Sequence, residues 1–187
     1  MTSDLPAPDR GLQQDLAGQT VVVIGGSSGI GLETARLARA RGAEVVLTAR
    51  DPDRLREAAE HVGARSTAAF DVTDLTRLKA FFADLPGPVD HILVTGSGPY
   101  YSSLADMDFD AARRDIDHRI LVTLAVARYG AARMRPPGTL LFIGGTGGRQ
   151  ADVAALAVHL MTNTALTGAT YDIDGGQQLL TNRGGTR

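Results

Sequence analysis

A chain of 187 residues with 43% hydrophobic side chains has the length and apolar content of one globular domain with a real core. Its formal net charge of -2 argues against a nucleic-acid or anionic-membrane partner, and the absence of cysteine excludes disulfides, thiolate catalysis and sulfur-ligated zinc. No run reaches the ~18 apolar residues needed to span a bilayer. Residues 1–15, with Asp4, Pro6, Pro8, Asp9 and Arg10 and no apolar centre, read as a polar tail and not as a signal peptide, so the expected location is cytoplasmic.

The first apolar run, Val21-Val22-Val23-Ile24, is four β-branched residues and reads as a buried strand. Directly after it comes Gly25-Gly26-Ser27-Ser28-Gly29-Ile30-Gly31, a glycine-rich turn that opens into a helix. In the nucleotide-binding reading each glycine has a task. Gly25 permits a turn no side chain could follow, Gly29 lets backbone N–H groups approach a pyrophosphate, and Gly31 lets the helix sit close on the sheet. The helix start then offers unpaired donors and a positive dipole end to an anion. Glycines also build ordinary loops. The strand before, the helix after and a second strand at 44–48, ending where a ribose would lie, favour the nucleotide reading.

Further along, Ile30, Thr34, Leu37 and Ala38 form the buried stripe of the first helix, which Gly42 stops. Asp51 is the predicted N-cap and Pro52 the first residue of a second helix, with Leu55, Ala58, Ala59 and Val62 as its stripe and Gly63 as its end. A third strand is predicted at 67–72. Leu75, Leu78, Phe82 and Leu85 then line a helix that Pro86 terminates. A fourth strand at 91–94 leads into Gly96-Ser97-Gly98-Pro99. A long helix follows over about 110–134, with Ile116, Ile120, Thr123, Leu124, Ala127 and Ala131 on one face and Pro136 and Pro137 closing it. A fifth strand at 139–143, a helix at about 152–161 and a last strand at 169–173 complete a single dinucleotide-binding domain over 1–187. Strands alternating with helices predict an α/β fold, a Rossmann-like doubly wound parallel sheet of about six strands in three αβα layers, with ligands at the strand C-terminal ends.

Taken together, Gly25-x-x-x-Gly29-x-Gly31, Asp71-Val72, Thr95-Gly96-Ser97-Gly98 and Asp172-Ile173-Asp174-Gly175-Gly176 resemble the short-chain dehydrogenases/reductases over roughly residues 16–180. The resemblance implies a nicotinamide dinucleotide on Gly25, Ser27, Ser28, Gly29, Ile30 and Gly31. It also implies Asp71 on the adenine amino group, Val72 against the ring, and Thr95 and Gly96 beside ribose and nicotinamide. The alternative reading of Asp71 is a turn or helix-entry residue. At the end of the second strand Ala49 is followed by Arg50, so the carboxylate that holds a ribose 2'-hydroxyl is missing and a cation able to fork onto a 2'-phosphate is present, with Ser27 as a further donor. NADP(H) is therefore preferred over NAD(H); the alternative is that Arg50 is a solvated loop charge.

The implied reaction is hydride transfer between NADP(H) and a small carbonyl or alcohol. It needs a proton donor, which in the family is a Tyr followed four positions later by a Lys. The one lysine is Lys79, and Leu75 stands four residues before it, so no such pair exists here. Gly145 takes the place of the family's Ser, with Thr146 next to it as the catalytic candidate, and Arg119 takes the place of its Asn. Relative to the family the chain has an internal gap near 148–151, where the Tyr/Lys helix and the substrate-capping segment would stand. Three readings follow: an active NADP(H)-dependent oxidoreductase, a catalytically silent NADP(H)-binding module, or a non-functional truncated relative.

In the shortened arrangement the last strand is expected beside the fifth, through a right-handed crossover. The long helix, without its cover, should expose apolar surface and favour a homo-oligomer. His61, His91, His118 and His159 have no metal-site spacing and read as packing or surface residues. Tyr100 and Tyr101, with Ser102 and Ser103, either line a substrate pocket or cover a core edge. Tyr129 and Tyr171 read as packing.

Overall fold

The computed structural model describes residues 15–96, 100, 102–144, 149–163 and 165–173. Five parallel strands, β1 (Thr20–Ile24), β2 (Glu44–Ala49), β3 (Ser66–Ala69), β4 (Val89–Val94) and β5 (Met134–Phe142), lie in the order β3-β2-β1-β4-β5. The helices are α1 (Gly29–Ala40), α2 (Pro52–Val62), α3 (Leu75–Asp84), α4 (Phe109–Ala131) and α5 (Gln150–Thr162). The apolar run at 21–24 forms the central strand because both sheet faces are covered there. Val21 and Val23 face a cluster with Leu47, Leu93, Ala35, Ala38 and the α5 residues Ala157, Val158 and Met161. Val22 and Ile24 face the opposite cluster with Val46, Ile92, Phe82 and Val126. Layer order follows: α1, α2 and α5 on one face, α3 and α4 on the other.

Helix starts follow the sequence closely. Asp51, Asp74 and Asp108 each accept two backbone N–H bonds at the starts of α2, α3 and α4. Strand ends differ more. The third strand is Ser66–Ala69 instead of 67–72, because the Asp71 carboxylate accepts from the Thr73 N–H and hydroxyl and turns the chain before α3. The fourth strand starts at Val89, two residues earlier than expected. The fifth reaches back to Met134, and the long helix stops at Ala131 instead of 134. Along this edge strand the register jumps from Val89–Met134 to His91–Thr139, so Pro136 and Pro137, which have no N–H for a ladder, fall in the irregular stretch.

The apolar stripe of α4 built on Ile116, Ile120 and Leu124 faces outward and supplies the exposed apolar surface expected of this helix, while Val122, Ala125, Val126 and Gly130 face the core. Residues 169–173, expected as a strand beside β5, are not in the sheet, and Tyr171 is exposed and not packed. The cause is the side α5 chose. Steps from β1 to β2 and from β4 to β5 run in opposite directions along the sheet, and right-handed crossovers put α1 and α4 on opposite faces. α5 follows β5 but packs on the α1 face, so a strand laid outside β5 after it would need a left-handed crossover.

A polar knot closes the N-terminal ends of the strands. Buried Asp90 accepts the Thr20 N–H at 2.7 Å and is bridged by the Arg135 guanidinium, whose Nη2 lies 3.0 Å from Oδ2. The neighbouring His91 is 2% exposed, and its Nε2 lies 2.6 Å from Gln19 Oε1. Gln19 Nε2 donates to the Asp15 carbonyl, so Oε1 is the acceptor and the imidazole donates through Nε2. Its Nδ1 is buried without a partner among the described residues. Burial therefore holds the His91 pKa below the ordinary 6.5, with Asp90 opposing the shift in part. Because the unfolded chain takes up a proton that the folded chain refuses, stability should fall as pH drops below about 6.5, by up to about 1.4 kcal/mol per pH unit from this residue. Thermal unfolding across pH 5–8 should show this slope in the wild type and lose it in His91→Gln; parallel curves would contradict the assignment.

Candidate functional site at the strand C-terminal ends

Three backbone segments meet where β1 ends. The N–H groups of Gly25 and Gly26 both donate to the Thr48 carbonyl at 2.9 Å, tying the turn to the end of β2. On the other side, the Thr95 N–H donates to the Ile24 carbonyl at 2.8 Å, and its hydroxyl lies 3.1 Å from the carbonyls of both Ile24 and Gly25. Gly25 has φ +89°, and a Cβ on it would run into the Thr95 hydroxyl and carbonyl. A Cβ on Gly31 would run into the Gly25 carbonyl, so α1 starts in backbone contact with the turn. Gly29 adopts φ +59°, a conformation that favours glycine, and a Cβ there would meet the Gln150 amide only at ordinary contact distance.

α1 starts differently from its Asp-capped counterparts. Ser28, the N-cap, is extended and exposed and makes no side-chain cap bond. Ser27 and Ile30 are half-buried beside it, the Ile30 carbonyl accepting the Thr34 hydroxyl at 2.8 Å. The turn thus leaves N–H donors and a positive helix end at the mouth of the sheet. Gly96 is exposed at the end of β4.

Arg50, directly after β2, is exposed. Its charge reaches Asp71, whose carboxyl is held below the usual range first by the Thr73 N–H, a pull that desolvation opposes in part, and then by the Thr73 hydroxyl, Arg50 and His118. The structure therefore gives Asp71 the turn-forming contacts of a helix-entry residue, and these occupy Oδ1 at 2.9 and 2.8 Å. Val72 is half-buried against the cluster under α3 and α4. Arg50, Asp71 and Val72 come together at one end of the mouth, while the glycine turn, Thr95 and Gly96 form its centre.

Other expected residues make contacts of their own or lie outside the described residues. Arg119 pairs with Asp115 at 2.7 Å one helical turn away. Tyr100 presents its hydroxyl oxygen to the Asp108 N–H at 3.2 Å, a loop-fastening contact. Thr146, Ser97, Gly98, Tyr101 and 174–176 lie outside the described residues. Among the described residues no group of three His, Asp or Glu could hold a metal, and no helix is long and apolar enough to cross a membrane. Two residues were missed from sequence: His118, whose charge acts on Asp71 and Asp115, and Gln150, which hangs over Gly29. Neither belongs to a spacing pattern, and only the packing of α4 and α5 brings them here.

A parallel α/β sheet with a glycine turn leading from its central strand into a helix defines a Rossmann-like protein. The family model for short chain dehydrogenase matches residues 19–166, and the chain belongs to that family. Short-chain dehydrogenase reductase 5 of Arabidopsis thaliana is 28% identical over 172 residues, 87% of this chain and 66% of that relative. A solved short chain dehydrogenase/reductase family protein is 32% identical with a TM-score of 0.63, over 78% of this chain and 65% of the other. The structure of BdcA in complex with NADPH, at 24% identity, shares the fold with a TM-score of 0.63, over 78% of this chain and 62% of that one. The chain thus spans just under two thirds of the length of each of these three.

The Gly31 contact generates a prediction. Gly31→Ala must push α1 away from the Gly25 carbonyl, and should lower stability by about 1–3 kcal/mol, read by chemical unfolding. An unchanged midpoint would show that the turn relaxes freely.

Proposed function

We propose that this chain binds NADP(H) across the C-terminal ends of β1, β2 and β4, with the pyrophosphate on the Gly25–Gly31 turn and the 2'-phosphate at Arg50. The observation that carries this reading is the uncapped start of α1, set in backbone contact with the turn, with a cation and no carboxylate directly following β2. Asp71, Val72, Thr95 and Gly96 surround the adenosine and nicotinamide ends. Family membership supports hydride transfer between the nicotinamide and a small carbonyl or alcohol as the chemistry of this reading. Lys79, the one lysine, lies in α3 with Leu75 four residues before it, so the tyrosine/lysine acid is absent. General-acid assistance is worth ~10²–10⁴-fold, and without it the chain acts chiefly as a dinucleotide-binding module with slow turnover at most.

One sample tests both parts. In a fluorescence titration, Arg50→Ala should weaken NADPH about tenfold and leave NADH within about twofold, the loss expected for an exposed charge-assisted phosphate contact. The wild type should oxidise NADPH with a carbonyl panel at no more than ~1% of a complete family member's rate. Equal affinities for NADPH and NADH, unmoved by Arg50→Ala, would overturn the cofactor assignment; rapid turnover would overturn the silent-module reading.

We further propose that the chain self-associates through α4. Ile116, Ile120 and Leu124 follow one another at four-residue spacing and are 55%, 53% and 61% exposed, with Phe109 exposed at the start of the helix. A two-fold pairing would set this stripe against its own copy. Light scattering should give a dimer or larger species for the wild type and a monomer for Leu124→Asp. A monodisperse wild-type monomer at high concentration would refute the interface.

A further inference from the structure

We infer that Gln150, the first residue of α5, is a dinucleotide-binding residue whose side-chain amide donates to the pyrophosphate from the side facing the glycine turn. This rests on the proposed NADP(H) site and adds a residue to it. The Gln150 amide lies over the turn, with Nε2 3.8 Å and Cδ 4.0 Å from the point where a Cβ on Gly29 would be. Because residue 29 is glycine, a slot stays open between the backbone of the turn and the amide.

The packing of α5 holds Gln150 there. Ala154, Ala157, Val158 and Met161 are buried, and the last three share the cluster of Ala35 and Ala38 on α1. Both helices therefore begin at the same edge of the sheet. Neither Ser28 nor Arg149 makes a side-chain cap bond, so two positive helix ends meet beside Gly29. Asp152 in the first turn of α5 opposes an anion, and Arg149, 3.9 Å from it and largely exposed, offsets that charge. A primary amide suits this position. It supplies two N–H donors without a charge to be desolvated, and its flexible stem lets it follow the phosphate oxygens.

The test compares wild type, Gln150→Ala and Gln150→Glu by NADPH titration, by displacement of NADPH with 2'-AMP, which has no pyrophosphate, and by thermal unfolding. Gln150→Ala should weaken NADPH about threefold to tenfold and Gln150→Glu at least about tenfold, with the latter loss shrinking as salt rises. The concentration of 2'-AMP that half-occupies the site should stay within about twofold. A carboxylate at the first position of α5 favours the helix dipole, so Gln150→Glu should unfold at the same temperature or higher while binding worse. A merely structural glutamine would instead lower the unfolding temperature and leave NADPH affinity alone, and that result overturns the inference. Equal losses for 2'-AMP and NADPH also overturn it. If wild type binds neither NADPH nor NADH, the proposed function fails and this inference falls with it. If NADPH binds normally in both variants, only Gln150 is removed.

Discussion

The structure depends on one crowded junction, where the ends of β1 and β4 and the start of α1 approach so closely that no Cβ fits. Thr95 bonds through its N–H and hydroxyl to the carbonyls of Ile24 and Gly25, and Gly31 rests on the Gly25 carbonyl. This contact fixes where α1 begins relative to the sheet, and so where its free N–H groups point. It also assigns Thr95 a structural part. With its hydroxyl turned to two backbone carbonyls, Thr95 serves the junction, and exposed Gly96 is the part of that segment open to a ligand.

A second constraint, crossover handedness, accounts for how the far side of the molecule departs from the expected one. Once α5 packs against α1, its apolar residues complete the cluster over β1 and β4, and the outer side of β5 receives no neighbour from the described residues. The same choice leaves the outer face of α4 uncovered, since a helix following β5 by a right-handed crossover would have lain on the α4 side. The exposed Ile116, Ile120 and Leu124 and the missing strand thus share one cause. The polar end of the sheet is unaffected, because Asp90, Thr20 and Arg135 are joined by contacts within β1, β4 and β5 alone.

Where the sequence carried a local physical signal, it was legible. Val21–Ile24 could only be a strand covered on both faces, and Asp51-Pro52 and Gly63 bracket α2 with an N-cap and a left-handed C-cap at φ +69°. The signal weakened where two local rules competed. Ala69-Phe70-Asp71-Val72 alternates like a strand, but the Asp71 carboxylate finds a closer partner in Thr73. Pro136 and Pro137 look like a stop, yet an edge strand with a register jump absorbs them. The stripe on α4 was read correctly as one face, but periodicity does not say which face meets the core. For Gln150 and His118 no local signal exists, since their neighbours are distant in sequence.

In the proposed reading, dinucleotide binding is separable from the chemistry because its residues belong to one part of the fold. The donors of the glycine turn and the Arg50 position are products of β1, β2, β4 and α1, a unit closed by the first cluster and by the Thr95 junction. Nothing in that unit needs a tyrosine or a lysine to hold its shape; Lys79 is exposed on α3 and takes no part in either cluster. In the proposed reading, the frame that would orient a dinucleotide stands without the acid that would protonate a substrate. What α5 adds is a second helix start beside the glycine turn, which a helix on the other face of the sheet would not have supplied.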